Sequence, residues 1–168
     1  MTTLYLVRHG ETVDNAAQIL QGQLPGKLND RGIEQAEEAS RKLSDVHIDA
    51  FVASDLQRSI HTAEIIAAPH HKLVTTTPLL RERDWGGFTG RFIPDLKNAV
   101  WPDDVETLGA MQERARKFIT WLRKTYPDQT VLAVGHGIIN KAIQAVYYRK
   151  KMSEVQKMGN AEVRILQL

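Results

Sequence analysis

Three times along this chain an apolar run stops abruptly at a polar or basic cluster. Leu4 to Val7 ends at Arg8-His9-Gly10, Ile48 to Ala53 ends at Ser54-Asp55, and Val131 to Val134 ends at Gly135-His136-Gly137. Short continuous apolar runs of this kind predict strands buried on both faces. Between them the apolar positions recur at helical spacing. Ile33, Ala36, Ala39 and Leu43 predict a helix capped by Asn29 or Asp30, and Leu56, Ile60, Ala63 and Ile66 predict a second. Val105, Leu108, Met111, Ala115, Phe118 and Leu122 predict a long helix opened by Pro102 and Asp103, with Asp103 and Glu106 as its capping box. Ile139, Ala142, Ile143 and Val146 follow the last cluster in the same way. Two weaker strands are expected, over Lys72 to Thr76 and, closing the chain, over Glu162 to Leu168.

Strands alternating with helices predict an α/β fold with a largely parallel sheet, in which ligands bind at the carboxyl ends of the strands. The polar clusters therefore gain meaning from their position. Arg8 and His9 end the first strand, Arg58 lies in the first turn of a helix, and His136 ends another strand between two glycines. A cation at a helix N-terminus opposes the macrodipole unless an anion lies between them, which favours a bound phosphate. The loop after Gly10 carries Asn15 and Gln21, with Gly22, Pro25 and Gly26 breaking any regular structure. Arg81-Glu82-Arg83-Asp84 reads as a carboxyl group in a structured loop or as a surface salt-bridge network. His47, His61, His70 and His71 read as surface or partly packed residues.

Composition narrows the chemistry. The 168 residues are expected to form one domain, carry a formal charge of +2 and contain no cysteine, so thiol nucleophiles and cysteine zinc sites are excluded. Neither the charge nor the Arg149-Lys150-Lys151 run points to nucleic acid. No apolar run is long enough to span a bilayer, and with the first strand beginning within a few residues neither a secretory leader nor any location but the cytoplasm is expected.

The ordered set Leu6-Val-Arg-His-Gly-Glu-Thr12, Asn15, Gln21-Gly22, Leu28-Asn-Asp-Arg-Gly-Ile-Glu-Gln-Ala36, Ser54-Asp-Leu-Gln-Arg58, Leu80-Arg-Glu82, Gly135-His-Gly137 and Gly159-Asn-Ala161 resembles the histidine phosphatase superfamily, the phosphoglycerate mutase-like proteins. The resemblance implies a three-layer α/β/α sandwich with a mostly parallel central sheet and a small cap over residues 86 to 103. It implies that His9 is the nucleophile that forms a phosphohistidine, and that Arg8, Arg58 and His136 surround the phosphoryl oxygens. Glu82 would be the general acid and base, with Asp84 in reserve, and Asn15, Gln21, Gly22 and the N–H of Gly137 would contact phosphate or substrate. No metal or organic cofactor is expected.

Asp14 and Lys27 depart from residues common in relatives and lie near the expected mouth of the site. The short stretch between Glu82 and His136, where glycolytic mutases carry a longer insertion, favours hydrolysis of a small phosphomonoester. An α-ribazole phosphate, sugar phosphate or broad-specificity phosphatase is expected. A mutase, a protein phosphohistidine phosphatase and an inactive phospho-ligand binder are the alternatives. The sequence leaves oligomeric state open, and also whether Trp85, Phe88, Phe92 and Trp101 line the mouth or only pack the cap.

Overall fold

The computed structural model describes residues 1–168. Five strands form one sheet: β1 (Thr3–Arg8), β2 (Ala50–Ser54), β3 (Val74–Thr77), β4 (Thr130–Gly135) and β5 (Val163–Gln167), in the order β3-β2-β4-β1-β5. All neighbouring pairs are parallel except β1 with β5. The helices are α1 (Val13–Ala16), α2 (Asp30–Leu43), α3 (Gln57–Ala67), α4 (Leu108–Thr125) and α5 (Gly137–Tyr148).

The two-residue period of the strands sorts the core into two layers. Leu4, Leu6, Val52, Val131 and Ala133 pack with Met111, Phe118 and Leu122 of α4 and Ile139 and Ile143 of α5. Val7, Phe51, Ala53, Leu132 and Val134 face the other way, against Ala39 and Leu43 of α2 and Ala63 and Ile66 of α3. The three central strands need apolar residues on both faces because helices cover both. The edge strands β3 and β5 keep exposed positions.

The long helix begins later than its sequence pattern predicts. Its N-cap is Thr107, whose hydroxyl accepts the N–H of Ala110 at 3.0 Å, and it starts at Leu108. Asp103 and Glu106, expected as its capping box, do not cap it, and the acidic residues just before it hold another loop. Asp104 accepts the N–H of Gly87, and Glu106 accepts the N–H of Asp84 and pairs with Arg114 at 2.9 Å. Residues 102–106 thus tie down the loop that carries Glu82. The remaining boundaries move by a residue or two: β2 starts at Ala50 and β3 covers Val74–Thr77.

Register sets the site. Arg8 lies opposite Gly135 in the β1–β4 pair, and Ala53 opposite Val134 in the β2–β4 pair. His9, His136 and Ser54 consequently leave the sheet at one level. On the other side of β1, Asn160 donates its amide to the carbonyl of His9 at 3.1 Å, and Ala161 N–H donates to Arg8 carbonyl at 2.8 Å. The Gly159-Asn160-Ala161 stretch therefore holds the end of β1 rather than a ligand. The loop that leaves β1 crosses the start of α2 through two glycines: a Cβ on Gly32 would stand 2.0 Å from the carbonyl oxygen of Glu11, and one on Gly10 2.5 Å from that of Gly32.

Candidate active site

His9 is 3% exposed. Its Nδ1 lies 2.7 Å from the carbonyl oxygen of Gly10, which can only accept, so the ring proton sits on Nδ1 and Nε2 keeps its lone pair. Burial, with Arg58 and Arg8 nearby, holds this imidazole well below its ordinary value of 6.5 and keeps it neutral. The only protein donor to Nε2 is Nε of Arg58, at 3.3 Å.

Arg58 is 1% exposed and burial lowers its pKa to about 10, Glu82 and Asp14 opposing that fall by their charge. Its guanidinium donates to the carbonyls of Gly22 at 2.8 Å and Pro25 at 3.3 Å, and to that of Leu24. These loop carbonyls, and not an anion alone, answer the misfit of a cation in the first turn of α3. Gly26 makes the wrap feasible, with φ at +71° and Arg58 Cδ only 2.8 Å from where a Cβ would stand.

His136 is fully buried, and burial together with Arg58 and His9 keeps it neutral, well below 6.5. Its ring centroid is 5.0 Å from that of His9. Nε2 is bonded to the hydroxyls of Ser54 at 2.7 Å and Ser59 at 3.1 Å, while Nδ1 is buried with no protein partner. An unpartnered buried nitrogen is costly unless a ligand completes it.

Glu82 sits at the N-terminus of α5, where His136 offers no side-chain cap. Its carboxylate accepts the N–H groups of Ile138 and Ile139 at 3.1 Å and of Arg83 at 2.9 Å. The arginines beside it in sequence point away. Arg81 makes a bidentate pair with Asp55 at 2.7 Å, and Arg83 donates to the carbonyl of Glu106 and lies 4.6 Å over the ring of Trp85. Asp84 is exposed and accepts the N–H of Gly86, away from the histidines.

His9, Arg58 and Glu82 meet with Arg8 in a cavity of about 180 Å³, with Gln21, Gly22 and Gly137 on its walls, while His136 is fully buried and does not itself line it. Gln21 accepts the hydroxyl of Thr12 through Oε1, leaving its amide nitrogen without a protein partner. Asn15, expected at the phosphate, does not line the cavity. Its Oδ1 accepts the N–H of Thr12 while Thr12 Oγ1 accepts its own N–H, a capping box that starts α1. The capping box uses Oδ1 and the backbone N–H of Asn15 and leaves its amide Nδ2 without a protein partner.

Two parts of the site escaped sequence reasoning. Ser54 and Ser59 orient His136, yet serines after a strand and in a helix carry no signal until the register is known. Lys157 also lines the cavity, from an irregular segment between α5 and β5 with no pattern to mark it. The aromatic residues divide between two roles. Trp85 and Leu20 line both the cavity of His9 and an adjoining apolar hollow of about 290 Å³ completed by Phe88, Ile93, Leu96, Lys97 and Trp101, Phe88 being only 3% exposed. Phe92 lines neither, being 42% exposed. A wider hollow of about 430 Å³ between α2 and β5 holds none of the catalytic candidates.

No group of three or more His, Asp or Glu side chains is arranged to hold a metal ion, and no helix is long and apolar enough to cross a membrane. The chain is 42% identical over 153 residues to a probable phosphoglycerate mutase of Erwinia tasmaniensis, covering 82% of this chain and 71% of that protein. It is 31% identical over 155 residues to the adenosylcobalamin/α-ribazole phosphatase of Escherichia coli, covering 83% and 76%. A mycobacterial glucosyl-3-phosphoglycerate phosphatase, solved in complex with VO3, superposes with a TM-score of 0.89 over 98% of this chain and 92% of that one, at 27% identity. The model of the histidine phosphatase superfamily, branch 1, matches residues 4–168, and with the two histidines at adjacent strand ends this places the chain in that superfamily.

Proposed function

We propose that the protein hydrolyses a small phosphomonoester through a phosphohistidine on His9, without a metal. The observation that carries this reading is the Nδ1 bond of His9 to the Gly10 carbonyl, which leaves Nε2 unprotonated in a cavity walled by Arg8, Arg58 and Glu82. Nε2 attacks phosphorus in line and the bond from phosphorus to the ester oxygen breaks, the departing oxygen taking a proton from Glu82. Arg58 exchanges its long contact with Nε2 for a phosphoryl oxygen, and Arg8 and the free amide of Gln21 meet the other oxygens. His136 donates from Nδ1 when its Nε2 accepts a serine hydroxyl. Water then attacks the phosphohistidine, giving its proton to Glu82 as the phosphorus–nitrogen bond breaks.

The convergence of guanidinium cations on the phosphoryl position supports the metal-free reading, since they supply the charge that a magnesium ion would otherwise bring. Residues 86 to 103 act as the cap of a single domain in this reading, and a cytoplasmic setting goes with it. Its test is phosphate release, with and without chelator, from aryl phosphate, α-ribazole phosphate, sugar phosphates, a nucleotide and 3-phosphoglycerate. Chelator-resistant release that disappears in His9→Ala, with an acid-labile phosphoenzyme trapped in rapid quench, is the expected result. Full activity in His9→Ala overturns it, and interconversion of phosphoglycerates without net release assigns a mutase instead.

A further inference from the structure

Lys157 is presented to the catalytic cavity by a segment that is held unusually firmly for one with no regular structure. Val155 and Met158 are buried at 8% and 1% exposure and anchor it to the core. Between them every carbonyl is taken by an arginine. Arg164 donates to Gln156 at 2.8 Å and to Lys157 at 3.4 Å, and Arg8 donates to Met158 at 2.8 Å. Arg164 is itself fixed by Glu162 at 2.6 Å and Gln144 at 2.8 Å.

The ammonium group of Lys157, by contrast, makes no ion pair or hydrogen bond with the protein, and only burial and more distant charges act on it. Its Cε lies 3.4 Å from the point where a Cβ on Gly137 would stand, and Nε and Cζ of Arg8 lie 3.5 and 3.7 Å from the same point. Two cations therefore converge over the first turn of α5, across the space a glycine leaves open. Arg8 Nε is also buried without a partner. The other charged groups acting on Lys157 are Lys141, which adds to the repulsion, and Glu82, whose oxygens are engaged by backbone N–H groups. Burial, and next Arg8, lower the Lys157 pKa below its ordinary 10.5, and Glu82 opposes that fall only in part.

We propose that Lys157 is a specificity-determining residue that binds a second anionic group, a carboxylate or a further phosphate, carried on the alcohol side of the phosphomonoester. This rests on the phosphatase reading above. With the phosphoryl group at Nε2 of His9, Lys157 stands beside Arg8 over Gly137, in the cavity that Glu82, assigned above to the departing oxygen, also lines. The small volume of the cavity puts that second anion within a few bonds of the ester oxygen.

Three esters on one two-carbon skeleton test it: 2-hydroxyethyl phosphate, phosphoglycolate and ethylene glycol bisphosphate. Dissociation constants are measured calorimetrically in His9→Ala, which prevents turnover, with Lys157 intact, changed to Met, or changed to Arg. With Lys157 present at least one doubly anionic ester binds tenfold or more tighter than 2-hydroxyethyl phosphate. The Met variant brings that ratio close to one, and Arg restores most of it. Which ester shows the preference separates carboxylate from phosphate as the second group. In the active enzyme the same ratio appears in KM, with kcat moving less. A ratio near one with Lys157 present, a ratio that survives in the Met variant, or equal weakening of all three esters overturns the proposal. Because binding is read in a protein that cannot turn over, failure of the phosphatase reading shows separately, as absent phosphate release from the His9 enzyme.

Discussion

Both carboxylate oxygens of Glu82 lie 3.1 Å from the backbone N–H of Ile138, at the start of α5. One side chain thus completes the N-terminus of a helix and stands in the catalytic cavity. Negative charge at a helix N-terminus contributes about 0.3–1 kcal/mol to stability. In the proposed mechanism the same group, as general acid, is expected to contribute about 10²–10⁴-fold in rate, and most where the leaving group is poor.

Glu82→Gln is expected to separate these contributions. An amide oxygen still accepts from α5, so the melting temperature moves little, while hydrolysis of alkyl phosphates falls about a hundredfold or more and that of an activated aryl phosphate far less. Steady-state rates on the two ester types, with a thermal melt on the same sample, check this. An equal loss on both types would remove Glu82 from the proton-transfer role.

The two buried histidines make acid stability a second test. Burial, and next the charge of Arg58, hold His9 and His136 well below 6.5 in the folded chain, whereas each titrates near 6.5 when unfolded. Below that pH the unfolded chain binds protons that the folded one refuses, so their contribution is intact above about pH 6.5 and is lost as pH falls toward the folded values. The slope is up to about 1.4 kcal/mol per pH unit for each histidine. Denaturant melts between pH 6.5 and 5.5 should show the slope reduced by about that amount in His136→Gln. The acidic limb of kcat/KM should likewise fall below pH 6.5, because His9 keeps its lone pair there.

Gly26 offers a third. Its φ of +71° and the 2.6 Å and 2.8 Å separations of a Cβ position from Gln21 Oε1 and Arg58 Cδ leave no unstrained place for a side chain. Gly26→Ala is expected to cost about 1–2 kcal/mol in chemical denaturation. It should also displace the loop carbonyls that hold Arg58, so that kcat/KM falls by more than the loss of stability accounts for. An alanine variant of unchanged activity would show that the wrap around Arg58 does not position its guanidinium.

Residues that act through their own strand or helix were legible in the sequence. Arg8, His9 and His136 could be placed because an apolar run that ends in a basic cluster fixes both the strand and which end carries the chemistry. Arg58 could be placed because the helical period puts it in the first turn of α3. Where two parts of the chain compete for one side chain, sequence reading failed. Asp103 and Glu106 look like the capping box of the long helix, yet Thr107 caps it and Glu106 holds the loop of Glu82, and the Oδ1 of Asn15 caps α1.

The sequence by itself determined the alternation of strands and helices, the two-faced core of the central strands and the strand ends that carry Arg8, His9 and His136, because periodicity and strand ends are local properties. Only the tertiary structure decided which side chains share the cavity. The pairing of Arg8 with Gly135 sets the two histidine rings 5.0 Å apart, and the return of the chain to β5 carries Lys157 over Gly137 and against Arg8. Both follow from contacts between residues more than a hundred positions apart or on separate elements, and the spacing of residues along a chain holds no record of such contacts until the sheet has its register.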